Sequence, residues 1–139
     1  MISEFKNGKY FTFNELIKSK KAEELSIDNV PTSDDIIANI YYTIGRLDEI
    51  REGYGKPIII TSGYRCNELN KAVGGEATSY HLQGLAVDIK WDSELVEYII
   101  KNCKFHKLIR EKAGNTKWLH IQFKLNIDEE ANKVISITK

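Results

Sequence analysis

Two short segments, "LAVDI" at residues 85–89 and "WLHIQF" at 118–123, commit this chain to a sheet that buries one face and keeps polar groups on the other. Successive side chains of a strand point to opposite faces. Leu85, Val87 and Ile89 therefore share one face, with Ala86 and Asp88 on the other. Leu119, Ile121 and Phe123 likewise share a face, leaving Trp118, His120 and Gln122 opposite. A carboxylate in an otherwise apolar strand needs a partner, because burying it unpaired is costly. His81 stands seven positions before Asp88, just ahead of Gly84, where a turn can fold it back over the same side. His81, Asp88 and His120 can thus converge on one cation. A lone strand histidine is also commonly an ordinary core or surface residue, and on spacing alone both readings stand.

The remaining elements set the fold class. "YFTFNELIKS" reads as a short helix capped by Thr12, with Glu15 completing a capping box. Ile36, Ile37, Ile40, Tyr41, Ile44, Leu47 and Ile50 recur at helical spacing, with Thr32 and Asp35 as the expected cap and "GYGKP" as the stop. "IIIT" reads as a buried strand entered through Pro57. Residues 62–81 read mostly as loop, with one helical turn, bent at Gly74 and Gly75. "SELVEYIIKN" is a second amphipathic helix from Ser93, and "FHKLIRE" and "WLHIQF" form a hairpin across "KAGNTK". "KVISITK" supplies a last strand. Helices first and antiparallel strands later predict an α+β fold, one domain over residues 1–139, with a small, mostly antiparallel sheet.

Composition narrows the function classes. Twenty Lys and Arg balance twenty Asp and Glu, so no pull toward nucleic acid or an anionic membrane is expected. Cys66 and Cys103 fit no CxxC spacing and read as free thiols, a single disulfide between them being the alternative. "MISEFKNGKYFTF" has no apolar leader core, and no run of about 18 apolar residues occurs. The expectation is a soluble monomer made in the cytoplasm, without a signal peptide.

Two imidazoles and one carboxylate form the three-ligand set that leaves zinc an open position for water, which the metal makes acidic enough to attack near neutral pH. The same set serves mononuclear iron in oxygenases. Those enzymes usually take His and Asp from one strand, a single residue apart, and the six-residue gap here favours zinc.

"TSGYRCNELNKAVGG", "TSYHLQGLAVDI" and "WLHIQF", in that order, strongly resemble the M15 family of zinc peptidases. Members include D-alanyl-D-alanine carboxypeptidases and phage L-alanyl-D-glutamate endolysins, which cut the peptides of bacterial cell walls. "KYFTFNELIKS" looks like the short, single-domain members, and the likeness spans residues 9–123. The resemblance implies one zinc ion per chain, held by His81, Asp88 and His120. It gives Arg65 the role of binding substrate or the developing oxyanion, which suits a permanently charged guanidinium; a structural salt bridge is the alternative. Ser62 and Ser79 would orient the loop and the ligand histidine, with plain turn residues as the alternative; Trp118 would support the groove, and Tyr64 would line it or be a packed aromatic. The implied partners are peptidoglycan peptides. Without a leader, the implied route to the wall is phage-type release or carriage in a virion.

One departure concerns the general base. In many relatives an acidic residue or histidine lies two or three positions before the last ligand, where this chain has Lys117 and Trp118. If the hairpin pairs 111 with 118, then 109 lies opposite 120 and Glu111 shares the face of His120, one diagonal step away. Glu111 is therefore the expected base, the alternative being an exposed glutamate paired with Lys112 or Lys117. His106 has the opposite parity and is left outside the site. A zinc-stabilised, non-catalytic domain on the same fold is the competing expectation.

Overall fold

The computed structural model describes residues 8–139; residues 1–7, the start of "MISEFKNGKYFTF", lie outside that range. The chain runs α1 (Phe13–Ile17), α2 (Lys20–Glu24), α3 (Asp34–Tyr54), β1 (Ile60–Ser62), α4 (Asn67–Ala72), a 3-10 turn (Tyr80–Gln83), β2 (Ala86–Lys90), α5 (Ser93–Asn102), β3 (Lys107–Ala113), β4 (Thr116–Gln122), a second 3-10 turn (Ile127–Glu129) and β5 (Lys133–Thr138). The strands form one sheet in the order β1-β2-β4-β3-β5. Three pairings are antiparallel, and β5 runs parallel to β3, so the α+β fold carries a mixed sheet.

Local chemistry explains the helices. Thr12 Oγ1 accepts from Glu15 N and the Glu15 carboxylate accepts from Thr12 N, both at 3.0 Å, the expected capping box. The cap of α3 is Ser33 rather than Thr32. The Ser33 hydroxyl accepts from Ile36 N, so the helix starts one residue later than expected and places Asp34 and Asp35 at its positive end. Gly55 closes α3 in the left-handed region, φ +80°.

The apolar face of the sheet is the floor of the core. Ile37, Ile40, Ile44, Leu47 and Ile50 of α3 and Leu95 and Ile99 of α5 pack with Val87, Ile89, Leu108, Leu119, Ile121 and Phe123. Each such side chain, fully buried, contributes about 1.5–3 kcal/mol.

The sequence expectations need three further adjustments. Of "IIIT", only Ile60 and Thr61 enter the sheet, with Ser62, as an edge strand with a register break; Ile58 is buried while Ile59 is exposed. An edge strand has only one neighbour to cover it. Residues 62–81 hold more helix than one turn, because Cys66 Sγ caps α4 by accepting from Leu69 N. The hairpin turn tightens to Gly114 and Asn115, with φ +60° at Gly114, the position such turns reserve for glycine. Cys66 and Cys103 are both free and half-buried. No helix among the described residues is long and apolar enough to cross a membrane.

Candidate metal centre

The left-handed Gly84 (φ +75°) turns the chain from the 3-10 segment into β2. A Cβ there would meet Ile40 Cγ1 at 2.7 Å, so glycine serves both the turn and its packing on α3. This turn lays His81 over the polar face of the sheet. The β2–β4 register sets Asp88 opposite His120 on that face. All three side chains are buried, and one ligand atom from each lies within 4.8 Å of the others.

The hydrogen bonds decide which ring atoms face inward. His81 Nδ1 lies 2.7 Å from the Gly63 carbonyl, and His120 Nε2 lies 2.7 Å from Gln122 Oε1. Both partners are oxygen acceptors, so both outer ring nitrogens carry their protons. The inner atoms, His81 Nε2 and His120 Nδ1, sit 3.3 and 3.2 Å from Asp88 Oδ1. Burial pushes the His81 imidazole below its ordinary value, against the pull of Asp88, so at neutral pH its Nε2 offers a lone pair. Burial pushes the Asp88 carboxyl up, but in the acid range, where His120 and His81 are protonated and their inner N–H groups donate to it, those bonds and charges outweigh burial and hold the group well below the usual carboxylate range. A neutral imidazole lone pair and a carboxylate oxygen at this distance need positive charge between them, and a divalent cation meets that need. The donor set fits zinc, which takes histidine nitrogen and carboxylate oxygen with a position left open.

The cluster forms one wall of a cleft of about 620 Å³. Arg65 enters from the β1–α4 connection. Its Nη2 is 3.3 Å from Asp88 Oδ2, its Nη1 3.3 Å from Asn70 Oδ1, and its Nε 3.4 Å from Ser62 Oγ. Burial lowers the guanidinium's ordinary value, while Asp88 and Glu111 push it back up. Across the cleft the hairpin pairs Glu111 with Trp118 and Ile109 with His120, the register expected from the sequence. Glu111 Oε2 accepts from Trp118 Nε1 at 2.9 Å, and Lys139 Nζ is 3.3 Å from Oε1.

The family model of Peptidase M15 matches residues 9–122. The chain belongs to the M15 peptidase family. No curated protein matches it at a significant level. Peptidases of this family are zinc-dependent in general, and the buried His81, Asp88 and His120 group of this M15 peptidase could bind a metal ion. The matched span takes in the three ligands, Arg65 and Glu111 and stops at the end of β4.

The other expected residues divide. Ser79 Oγ accepts from His81 N at 3.2 Å, and Ser62 and Trp118 contact Arg65 and Glu111 as above. Of the two readings of Tyr64, groove lining is corrected and the packed aromatic holds: its side chain is buried in the core cluster and does not line the cleft. His106 lies just before β3 and stacks on Tyr80, 5.9 Å between ring centroids, outside the cleft lining. Glu111 pairs with Lys139 rather than with Lys112 or Lys117. Sequence reasoning missed Gln122, although the alternation that exposed His120 put it on the same face. It also missed Asn70, Lys139 and the Gly63 carbonyl; the last is a backbone atom with no residue-type signal. A Cβ at Gly63 would run into the Leu16 carbonyl, which fixes glycine at the position that supplies it.

Proposed function

We propose that the chain is a zinc peptidase that hydrolyses peptide bonds in peptidoglycan stem peptides, as a D-Ala–D-Ala carboxypeptidase or an L-Ala–D-Glu endopeptidase. The observation that carries the reading is the inward-facing pair of imidazole nitrogens around Asp88, in a cleft that also holds Arg65 and Glu111. Zinc supplies a Lewis acid that makes water a nucleophile near neutral pH and polarises the scissile carbonyl. Glu111, facing the cleft, accepts the proton of the attacking water and returns it to the leaving amine. Arg65 donates toward the oxygen that gathers charge, or holds a substrate carboxylate. Gly63 and Gln122 keep the ligand imidazoles in the tautomers a metal requires. The stem-peptide target comes from the motif resemblance, as does delivery to the wall by phage-type release or in a virion.

A mass-spectrometric digest of purified muropeptides by the zinc-loaded protein tests the reading, alongside Asp88→Ala and Glu111→Gln. Release of D-Ala, or separation of L-Ala from D-Glu, is expected for the wild type and lost in both variants. Activity kept by Glu111→Gln would assign the base elsewhere. A metal-loaded protein that cuts no muropeptide would favour a zinc-stabilised binding domain on the same fold.

A further inference from the structure

The family match ends at residue 122, yet the cleft does not. β5 lies beyond the match, pairs with the outer edge of β3, and brings Ile137 and Lys139 into the cleft lining. Its register sets Ile137 beside Glu111, and Lys139 N donates to the Lys112 carbonyl at 2.8 Å, which carries the ladder on to residue 139. Upstream, the connection is tied down by the Glu130–Arg46 ion pair and by Asn132 N and Lys133 N bonding to the carbonyls of Phe105 and His106. β5 is a fixed part of the sheet.

What this strand delivers is an ammonium. Lys139 Nζ lies 3.3 Å from Glu111 Oε1 and 5.7 Å from the centre of the Trp118 ring, within reach of a cation–π contact. Trp118 Nε1 holds the other oxygen, Oε2, at 2.9 Å. Each carboxylate oxygen thus has one donor, and rotating the group loses one of them. Each also keeps a second lone-pair site, so a water in the cleft can still donate to it. The Glu111 side chain is 11% exposed and that of Lys139 57%, so the carboxylate is sheltered while its ammonium partner stays hydrated. Arg65 is engaged with Asp88, Asn70 and Ser62 and acts on Glu111 only through its longer-range charge.

We propose that Lys139 is a positioning residue of the peptidase: its ammonium and the Trp118 indole clamp the Glu111 carboxylate, so that β5, outside the matched span, completes the reactive cleft. The proposal rests on the reading of Glu111 as proton acceptor. A general base contributes only when held within hydrogen-bond reach of the proton it takes, and the clamp supplies that constraint.

The test uses the full chain with Lys139→Met, Lys139→Arg, Glu111→Gln and the Glu111→Gln/Lys139→Met double variant. The first readout needs neither metal nor substrate. Trp118 supplies one of two tryptophan indole N–H signals in the ¹H–¹⁵N spectrum, assigned by a Trp91→Phe variant. Its shift should move in Glu111→Gln, move in the same direction in Lys139→Met, and return to the wild-type position in Lys139→Arg. An indole signal left in place by Lys139→Met would overturn the clamp. In muropeptide hydrolysis, Lys139→Met should lower kcat about tenfold with little change in KM. Lys139→Arg should restore most of the loss, and Lys139→Met should have no further effect in the Glu111→Gln background. An equal loss in both backgrounds would overturn the positioning role. Wild-type kcat in Glu111→Gln would instead overturn the base assignment, while the indole signal still decides whether the clamp exists. If the wild type cuts no muropeptide, the spectral readout alone decides the clamp.

Discussion

Glu130 and Asp88 are both buried against cationic or imidazole partners, and they are treated in opposite ways. The Glu130 side chain, 0% exposed, receives both arms of Arg46, at 2.7 and 3.1 Å, and the backbone N–H of Lys124 at 3.1 Å. Arg46 in turn reaches the Tyr42 hydroxyl and the Lys104 carbonyl and lies 4.5 Å over the Phe123 ring. Burial pushes the guanidinium's value down, and Glu130 and Tyr42 raise it above the ordinary range. Both Glu130 oxygens have N–H donors, three in all. Asp88 has Arg65 on one oxygen, but the other faces two imidazoles whose outer N–H groups are committed elsewhere. The first cluster is complete as it stands. The second could hold a cation among its three inward-facing atoms.

The sharpest way to break this contrast is to halve the complete pair. Arg46→Met leaves Glu130 buried without its partner, and removing one member of a buried pair costs about 3–5 kcal/mol. Urea unfolding should show that loss with zinc present and absent alike. A loss that disappears on adding zinc would mean that the two clusters are coupled.

The metal centre should behave in the reverse manner. At a free zinc concentration about a thousandfold over its dissociation constant, the folded chain gains roughly 4 kcal/mol, and Asp88→Ala should abolish that gain. The stabilisation should shrink as pH falls, because protons compete for the inner ring nitrogens. The pKa directions also give signs for the metal-free chain. The His81 imidazole is depressed below 6.5 in the fold, so the unfolded chain takes up that proton first and stability is lost as pH falls through 6.5. The Asp88 carboxyl is depressed below 3.8, so its contribution is present above that value and lost at more acid pH. Thermal melts with zinc or chelator across this range check both statements.

A smaller effect separates the ligands from what aims them. Gln122→Leu keeps the buried volume but removes the acceptor of the His120 Nε2 proton. Loss of such a partner typically lowers metal affinity about 10- to 100-fold. Competition with a chromogenic zinc chelator measures it. An unchanged affinity would show that the β2–β4 register alone orients His120.

The parts of the site that follow a period were legible in the sequence, and the parts made by tertiary approach were not. Alternation placed Asp88 and His120 on one face and, through the hairpin register, Glu111 beside them. The Gly84 turn brought His81 over the same face. Family resemblance, rather than spacing, pointed to Arg65. Tyr64 was left between groove and core because its neighbours in sequence, Gly63 and Arg65, both serve the site, while its own side chain turns into the core. Edge strands carry little periodic signal: "IIIT" looked like a buried strand by composition, yet only its last two residues lie in the strand. The contribution of β5 was hidden for a different reason. A parallel strand pairs through residues remote in sequence, and nothing in "KVISITK" announces that its last lysine meets Glu111.

The smallest predicted effect tests how far the ligand histidine depends on its own turn. The Ser79 hydroxyl caps the 3-10 segment by accepting from His81 N, and losing such a cap costs about 1 kcal/mol. The ring of His81 has a separate constraint, the 2.7 Å bond from Nδ1 to the Gly63 carbonyl, and Gly84 fixes the turn behind it. Ser79→Ala should therefore destabilise the chain by about that amount and leave zinc affinity close to wild type. Thr12→Ala, which removes the corresponding cap on α1, should cost about the same, far from the ligands. Zinc titration of the two variants then isolates what the hydroxyl does for the metal. If Ser79→Ala alone weakens zinc to the extent of Gln122→Leu, the backbone of the turn and the Gly63 carbonyl are insufficient to hold His81, and Ser79 joins Gln122 as a group that aims a ligand.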